Sequence, residues 1–520
     1  MPVWRCQLGQ GVGLTVDARK DEPIYRQIFE QVVLRIETRA FPPGFRLPPS
    51  RVLARELSTH RNTVARAYAD LEAAGFVSST VGRGTFVEAQ AERPKATVAR
   101  DRGQPEAAGR MSWGSLLSRG AQSDKLGRAE RYARRVDGRD VVNLARMQPS
   151  EDLLPDELMR RSIERVFSEL GPRAMTYAAP EGVPALREQV ALELVSRGVP
   201  AAAEDILITS GSQQALDLIA RALVNPGDTV LVDSTTYTGA IDLFTLAGAR
   251  LLPVPSDGLG PDIATLNRMV RPDVKALYLM PNGHNPTGLT IPLQRRRELV
   301  AWSRAAGIPI IEDDYGAGIS LDDETGSPPH LRALDGDVIH ISTFSKRLVP
   351  ALRLGFIVCP SGIRHVFSSL KRMMDLGTSA ILQHALADFM ERGYLRAHTK
   401  KALPEYRARL DALDAALKSA LPPEIHWTRP SHGVVLWLRL PDSVDPDALY
   451  DEALRCGVLI SPSPMWSVEM KPQNGVRLTF CAEPSKRLVQ GARRLGKAFK
   501  VLAGTQPRKG QRALSAVEVV

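Results

Sequence analysis

Residues 342–346 read Ser342-Thr343-Phe344-Ser345-Lys346, and Arg353 follows the lysine by seven positions. A lysine that captures an aldehyde as a Schiff base needs a lowered amine pKa and a fixed approach, and nearby cations help to lower that pKa. Thr343 and Ser345 offer hydroxyl groups, and Arg353 offers a guanidinium, which are the partners that a phosphate requires. The apolar run after Arg353 predicts a strand paired with residues 338–341, which brings the arginine back towards the lysine.

A second motif, Asp313-Asp314-Tyr315, closes an apolar run upstream of Lys346. A carboxylate that keeps a pyridine nitrogen protonated makes the ring an electron sink, and a tyrosine hydroxyl can donate to the ring oxygen. We assign Asp313 to the first role and Tyr315 to the second, with Asp314 as the alternative nitrogen partner because spacing does not separate neighbours. Together with Lys346 this pattern predicts a pyridoxal phosphate site. The plain alternative is a solvated loop lysine and an acidic strand end.

A phosphate cradle is predicted further upstream. Residues 206–209 form an apolar strand pattern, residues 210–214 read Ser-Gly-Ser-Gln-Gln, and a helical pattern follows from Ala215 to Leu223. A strand, a small-residue turn and a helix N-terminus leave free backbone donors and a favourable dipole for an anion. Ser212 and Gln213 are the predicted phosphate contacts, although Ser-Gly also simply caps helices.

Three further side chains are expected at the site. Tyr237 follows the apolar run 230–232 and is predicted to stack on the pyridine face, with packing at the pocket rim as the alternative. Asn285, in Asn-Gly-His-Asn-Pro-Thr-Gly, is predicted to bond the phenolic oxygen, unless it only forms a turn. Arg477 lies in a strand pattern and suits a bidentate grip on a ligand carboxylate, with a surface arginine on an edge strand as the alternative.

These motifs, in this order, resemble the fold-type I aminotransferase superfamily from about residue 141 to about residue 502. The resemblance implies a large α/β domain with a mostly parallel seven-stranded sheet, a smaller C-terminal α+β domain and a site shared across a homodimer. The hydrophobic pattern independently predicts strands that alternate with helices, as a doubly wound sheet requires. These strands are expected near residues 205, 229, 250, 275, 308, 338 and 353.

The N-terminal region carries a different signal. Amphipathic residues 23–40 predict a helix, residues 51–57 a short second helix and residues 61–74 a third helix that begins with polar and basic side chains. This geometry is typical of a helix-turn-helix that enters a major groove. Residues 76–87 alternate as a hairpin with Arg83 at its tip, which is typical of the wing of a winged helix.

Residues 23–87 resemble the GntR family of winged helix-turn-helix repressors through Gly-Phe-Arg-Leu-Pro-Pro-Ser-Arg, the third helix and Gly-Arg-Gly-Thr-Phe-Val. The charge supports this, because residues 1–140 hold 24 of the 68 basic but only 16 of the 58 acidic side chains. A basic N-terminal quarter suits phosphate contact, and binding is expected to weaken with salt. The resemblance implies DNA contacts at Arg51, Arg61, Asn62, Thr63, Arg66 and Arg83, with Arg46 at a phosphate.

The sequence thus divides into an N-terminal arm (1–22), the winged helix (23–87), a basic linker (88–140), the aminotransferase-like domain (141–503) and a basic, disordered tail (504–520). This fusion resembles the MocR subfamily of bacterial regulators. The resemblance implies a homodimer, domain-swapped, that binds a double-stranded DNA operator and responds to an amine or amino acid. An active aminotransferase with an accessory DNA-binding domain, or a sensor of pyridoxal phosphate itself, remain the alternatives.

Cysteine usage and hydropathy set the remaining expectations. Cys6, Cys359, Cys456 and Cys481 show neither metal-ligand spacing nor a disulfide framework, so we expect no metal and a reducing, cytoplasmic setting. No apolar run is long enough to predict a signal segment or a membrane span.

Overall fold

The computed structural model describes residues 14–16, 23–37, 40–73, 76–80, 84–88, 113–118, 120–123, 127, 131–132, 140–322, 326–468 and 473–505. The chain divides into two compact units between Met111 and Ser112, inside the segment predicted as a linker. Among the described helices, none combines the length and the apolar character needed to cross a bilayer.

The N-terminal unit has the three helices and the hairpin that the sequence predicts. Its helices bury an apolar stripe that includes Ile28, Val64 and Leu71, and the Tyr68 hydroxyl donates to the carbonyl of Pro48 at 2.8 Å. Because these contacts lie on one face of the third helix, the opposite face is left to solvent. The elements are α1 (Ile24–Glu37), α2 (Ser50–Glu56), α3 (Arg61–Ala73), β1 (Val77–Thr80) and β2 (Gly84–Val87).

A seven-stranded sheet forms the centre of the C-terminal unit, in the order β4-β10-β9-β8-β7-β5-β6. Only β10 runs antiparallel to its neighbours, so the predicted mostly parallel sheet is confirmed. The strands are apolar on both faces because helices cover both. They are β4 (Ile206–Thr209), β5 (Thr229–Asp233), β6 (Arg250–Val254), β7 (Val274–Leu279), β8 (Ile310–Asp314), β9 (Ile339–Thr343) and β10 (Gly355–Val358).

Helices alternate with these strands, as a doubly wound sheet requires. Those that precede or flank the sheet in the large lobe are α4 (Trp113–Leu116), α5 (Asp156–Leu170), α6 (Pro184–Ser196), α7 (Ser212–Leu223), α8 (Thr238–Leu246), α9 (Ile263–Arg268), α10 (Leu293–Ala306), α11 (Leu331–Leu334), α12 (Arg364–Asp375) and α13 (Ala380–Glu391).

A smaller α+β lobe follows, with a three-stranded sheet in the order β11-β14-β13 and a short parallel pair, β3 with β12. Its helices close over an apolar core that includes Leu410, Leu436 and Leu495. The elements are α14 (Tyr394–Ala420), α15 (Pro446–Arg455), α16 (Ser485–Thr505), β3 (Val142–Asn143), β11 (Val435–Arg439), β12 (Val458–Leu459), β13 (Ser461–Pro462) and β14 (Gly475–Thr479).

The strand register brings the sequence motifs together at one edge of the large sheet. Gly355, at the start of β10, pairs with Thr343 on β9 and with Thr209 on β4. Ligands of doubly wound sheets bind at the carboxyl ends of the strands, and the loops after β4, β8 and β9 all leave from that edge. The pairing of β10 with β9 is the one that the sequence predicts for the strand after Arg353.

Candidate functional site

Lys346 is partly buried and lies three residues after the end of β9. Its Nζ donates to the carbonyl of Met147 at 2.8 Å. Burial lowers the pKa of the amine, and the cationic side chains of Arg477 and Arg353 lower it further. A lysine in this setting has a larger neutral fraction at neutral pH than a solvated one, which is the property that a nucleophilic amine requires.

The predicted phosphate partners converge beside this lysine. Arg353 Nη1 donates to Ser345 Oγ at 3.3 Å, and Thr343 Oγ1 donates to the same Oγ at 3.1 Å. The backbone of Gly211, at φ +86°, approaches Arg353 so closely that an added Cβ would lie 3.0 Å from Nη2. Ser212 begins α7, so the first free N–H groups of that helix open onto this cluster.

Tyr237 and Gln213 are hydrogen-bonded to each other. The Tyr237 hydroxyl donates to Gln213 Oε1 at 3.0 Å, and burial together with nearby Asp313 raises the pKa of this tyrosine to about 12. Gly239 adjoins both residues, because a Cβ there would lie 2.6 Å from the Tyr237 ring and from Gln213 Oε1. The aromatic face of Tyr237 is therefore held in place from two directions.

Asp313 is fully buried, and among the described residues only one of its carboxylate oxygens has a hydrogen-bond partner. The Tyr278 hydroxyl donates to Oδ2 at 2.8 Å, whereas Oδ1 accepts no hydrogen bond from any residue that the structure describes. Burial raises the pKa of Asp313 to about 7. An unpaired buried oxygen is costly, so this atom is suited to a cationic partner that the protein itself does not supply.

Asp314 projects from the opposite face of the sheet, because side chains alternate along β8. Arg197 Nη2 lies 2.7 Å from its Oδ2, and although burial opposes ionisation, Arg197 and His330 hold the pKa of Asp314 well below its usual range. Glu312 shares this face, where it accepts from two backbone N–H groups of α11 and lies 3.0 Å from His340 Nδ1. The carboxylate of Asp314 is thus paired with another side chain of the protein rather than left open to a ligand.

Tyr315 and Asn285 meet at the loop after β7. The Tyr315 hydroxyl donates to the carbonyl of Gly283, and burial raises the pKa of the tyrosine. Asn285 is buried, precedes Pro286 through a cis peptide bond, and accepts from Arg477 Nη1 at 3.1 Å. Both side chains lie beside the other site residues, and their expected contacts with a ring oxygen remain predictions.

Arg477 is buried on β14, the middle strand of the small sheet, so the alternative of a surface arginine on an edge strand is wrong. Its Nη2 donates to Ser461 Oγ at 3.1 Å, and the guanidinium lies 4.3 Å from the centroid of the Trp466 ring. Burial lowers its pKa to about 10. Its Nε has no partner among the described residues, which leaves a donor for an anionic ligand.

Most of the predicted DNA contacts that the structure describes are exposed side chains of the N-terminal unit. Arg61 and Asn62 are exposed in the first turn of α3, and Thr63 beside them is half-buried. The Arg66 guanidinium lies 4.0 Å from the centroid of the Tyr25 ring. Exposed polar and basic residues at the start of a second helix suit a major groove. Arg51 is exposed on α2, Arg46 is exposed with its guanidinium 5.9 Å from the Phe86 ring centroid, and Arg83 lies outside the described residues.

Several neighbours of the site were not predicted from the sequence. Tyr278 carries the only hydroxyl in the β7 run, which was a usable signal, but nothing in the sequence pairs it with Asp313. Trp466 and Ser461 come from a part of the small lobe with no recognisable motif. Cys481 lies near Lys346 and Arg477, and burial raises the pKa of this thiol to about 11, so it stays protonated.

Comparison with known families divides the chain in the same way as these sites. Residues 139–495 match the family described as aminotransferase class I and II. Residues 24–87 match the bacterial regulatory proteins of the gntR family.

Two relatives align over almost the whole chain. The probable rhizopine catabolism regulatory protein MocR of Rhizobium meliloti is 30% identical over 507 residues, which cover 97% of this chain and 99% of that protein. An uncharacterised HTH-type transcriptional regulator, YdfD of Bacillus subtilis, is 30% identical over 93% of this chain and 98% of its own length.

Solved structures resemble the C-terminal unit. LysN, an alpha-aminoadipate aminotransferase from Thermus thermophilus complexed with N-(5'-phosphopyridoxyl)-L-leucine, is 30% identical with a TM-score of 0.69, covering 76% of this chain and 100% of LysN. A gntR-family domain thus precedes an aminotransferase class I and II domain in this protein. The chain therefore belongs to the MocR subfamily of gntR-family regulators, in which a DNA-binding domain is joined to a domain of the aminotransferase class I and II family.

Proposed function

We propose that this protein is a transcriptional regulator that holds pyridoxal phosphate on Lys346 and changes its operator binding when an amine or amino acid displaces that lysine. The observation that carries the proposal is Oδ1 of Asp313, which is fully buried and has no hydrogen-bond partner among the described residues, at the same sheet edge as a partly buried lysine of lowered pKa. A protonated ring nitrogen is a fitting partner for such an oxygen.

The side chains at the edge of the sheet fit pyridoxal phosphate at its other groups as well. Arg353, Ser345 and the N-terminus of α7 offer donors for a phosphate, and Tyr237 offers a buried aromatic face. Bound there, the cofactor would supply a reversible covalent link to primary amines and an electron sink. The structural neighbour LysN carries a phosphopyridoxyl group, which supports the same cofactor here.

The residues of the protein have separate roles in this proposal. Lys346 holds the cofactor and, once displaced, offers an amine that accepts or returns a proton at its Nζ. Asp313 would keep the ring nitrogen of a bound cofactor protonated, and the Tyr278 hydroxyl already donates to Oδ2, which leaves Oδ1 available for that role. Arg477 provides a buried guanidinium for a ligand carboxylate, so an amino acid would be held at both its amine and its acid end.

A homodimer is part of the proposal. The segments around Ala178 and Gly377 adjoin, since a Cβ on Gly377 would lie 2.9 Å from the Ala178 carbonyl, and both carry exposed apolar side chains. Such a patch on a monomer surface is typical of an interface. Ultracentrifugation of Met373→Glu tests it: we expect a shift to monomer, and an unchanged dimer would exclude this surface. The exposed side chains are Met175, Tyr177, Met373 and Leu376.

One experiment separates the regulator from its alternatives. The full-length protein is loaded with pyridoxal phosphate and titrated with each standard amino acid, while the cofactor absorbance, keto acid release and binding to a DNA duplex selected by the protein are followed together. We expect a stoichiometric absorbance change together with a change in DNA affinity.

Other outcomes would contradict the proposal. Sustained keto acid formation would favour an active aminotransferase, and a DNA response to pyridoxal phosphate without any amine would favour a sensor of the cofactor itself. Covalent cofactor on a Lys346→Ala variant would remove the central assignment of the lysine.

A further inference from the structure

The turn that leads into α7 is held by the side chain of Gln214. This residue lies in the first turn of the helix, and its Oε1 accepts from the backbone N–H of Ser210 at 2.8 Å. The carbonyl of Ser210 accepts from Arg353 Nη2 at 3.5 Å. A side chain that reaches back to the chain before a helix start fixes the entry into that helix. Ser210 is therefore held at both of its backbone polar groups, next to the N–H groups that open onto the phosphate partners.

The amide of Gln214 fits its two neighbours in one orientation. Its Nε2 donates to Asp375 Oδ2 at 2.9 Å and lies 3.2 Å from Met374 Sδ. An ionised carboxylate accepts hydrogen bonds and donates none, so the amide nitrogen has to face Asp375. The amide oxygen then faces the N–H of Ser210. In the reversed orientation, two donor groups would meet at Ser210 and an oxygen would meet the carboxylate.

Lys371 keeps the Asp375 carboxylate in place. Its Nζ donates to Oδ1 and Oδ2 of Asp375 at 2.6 and 2.7 Å and to Thr378 Oγ1 at 2.9 Å, so all three N–H donors of this fully buried ammonium have acceptors. Burial opposes ionisation of Asp375, yet the hydrogen bonds from Gln214 and Lys371 hold the pKa of this carboxyl below its usual value. A continuous chain of hydrogen bonds thus runs from Lys371 on α12 to the turn before α7.

We propose that Gln214 is a positioning residue for the phosphate of the cofactor, and that Asp375 and Lys371 set the orientation of its amide. A helix N-terminus binds an anion through backbone N–H groups that point at one place, so the grip on a phosphate depends on how firmly the turn before the helix is held. Loss of the Gln214 amide frees the N–H of Ser210 and loosens this turn, while Lys346 keeps its own contacts. This inference rests on the proposed cofactor site.

The test compares pyridoxal phosphate with pyridoxal, which has the same aldehyde and lacks the phosphate. Full-length, cofactor-free Gln214→Met and Asp375→Asn proteins are titrated with each compound, and the absorbance of the compound bound to Lys346 gives its Kd. Methionine keeps the length of the glutamine side chain and removes the amide. The matched control is Gln294→Met, because Gln294 is an exposed glutamine of α10 whose Nε2 donates to Glu298 Oε1 at 3.0 Å.

We expect Gln214→Met to weaken the Kd of pyridoxal phosphate by about fivefold, the order of magnitude that one lost hydrogen bond produces, and to leave the Kd of pyridoxal unchanged. Asp375→Asn should have a smaller effect of the same kind, because asparagine offers a donor as well as an acceptor and no longer fixes the amide. Gln294→Met should match the wild type with both compounds.

Two results would overturn the positioning role alone. One is an equal loss of affinity for both compounds in Gln214→Met, since the damage would then extend beyond the phosphate. The other is a wild-type Kd for pyridoxal phosphate in Gln214→Met. If the wild type itself bound pyridoxal as tightly as pyridoxal phosphate, the phosphate site of the proposed function would fail together with the role of Gln214.

Discussion

Replacing Asp313 and Asp314 by asparagine, one at a time, is expected to give opposite results. The two residues are neighbours on β8, yet Asp313 has an unpartnered oxygen beside Tyr278, whereas Asp314 is paired with Arg197 on the other face. Asp313→Asn should therefore impair cofactor binding and spare the fold. Asp314→Asn should impair the fold and spare cofactor binding.

The magnitudes follow from the surroundings of each carboxylate. Burial raises the pKa of Asp313 to about 7, above its unfolded value, so the cofactor-free protein loses stability as pH rises from about 4 to about 7. At 1.36 kcal/mol per pKa unit this loss is about 3–5 kcal/mol, and Asp313→Asn abolishes it. The asparagine also loses a charged hydrogen bond to the cofactor, worth about 1.5–3 kcal/mol or roughly a 10- to 150-fold weaker Kd. Asp314→Asn removes the nearer of the two carboxylates that pair with the mostly buried Arg197 and leaves only the longer pair with Glu193, so we expect a cost of up to about 3–5 kcal/mol.

Denaturant unfolding of the cofactor-free proteins at pH 5.5 and pH 8 measures the changes in stability. Absorbance titration with pyridoxal phosphate measures the change in cofactor affinity. We expect Asp313→Asn to be more stable than the wild type at pH 8 and to bind the cofactor weakly. If Asp314→Asn lost the cofactor while Asp313→Asn kept it, the assignment of the ring-nitrogen partner would be reversed.

Three other predictions concern separate parts of the protein. Arg477→Lys should weaken amino acid binding by about 1.5–3 kcal/mol and leave amines without a carboxylate unaffected, because lysine lacks the Nε–H that has no partner among the described residues; calorimetry with both ligand types checks this. Gly239→Ala should lower cofactor affinity, because the new Cβ would lie 2.6 Å from the Tyr237 ring; an unchanged absorbance titration would argue against the held tyrosine. Arg61→Ala should lower the slope of log Kd against log salt by about 1, whereas Arg268→Ala on the C-terminal unit should not.

The sequence was sufficient to predict the strand positions and the approach of Arg353 to Lys346. Apolar runs near residues 339 and 355 are short and close together, so pairing between them was the simplest arrangement, and the structure has it. The loops at that sheet edge then bring Ser212 and Arg353 together. Local sequence patterns determine these strand positions and this pairing, so both could be predicted without the structure.

The sequence did not decide whether Asp313 or Asp314 is the partner of the ring nitrogen. Helices cover both faces of the large sheet, and the acidic pair lies between Glu312 and Tyr315, so the hydrophobic pattern does not show which face carries the site. The contact from Tyr278 depends on the register of β7 against β8, which places Tyr278 opposite Ile311. Register is a tertiary property, and single-sequence patterns do not contain it.

The contacts of Tyr132 and Asp140 with the small lobe were also not predicted. Residues 88–140 have the composition of a linker, yet Tyr132 and Asp140 contact helices more than 300 residues later in the chain. Such isolated contacts leave no periodic signal. A tyrosine in a basic, polar segment was the only available clue.

The most direct measurement compares DNA binding before and after borohydride reduction of the cofactor-loaded protein, with and without amino acid. Reduction makes the bond between Lys346 and the cofactor permanent, so an amine can no longer displace the lysine. We predict that the amino acid changes the DNA Kd of the unreduced protein and leaves that of the reduced protein unchanged. An equal response from both forms would contradict a sensor that works through Lys346.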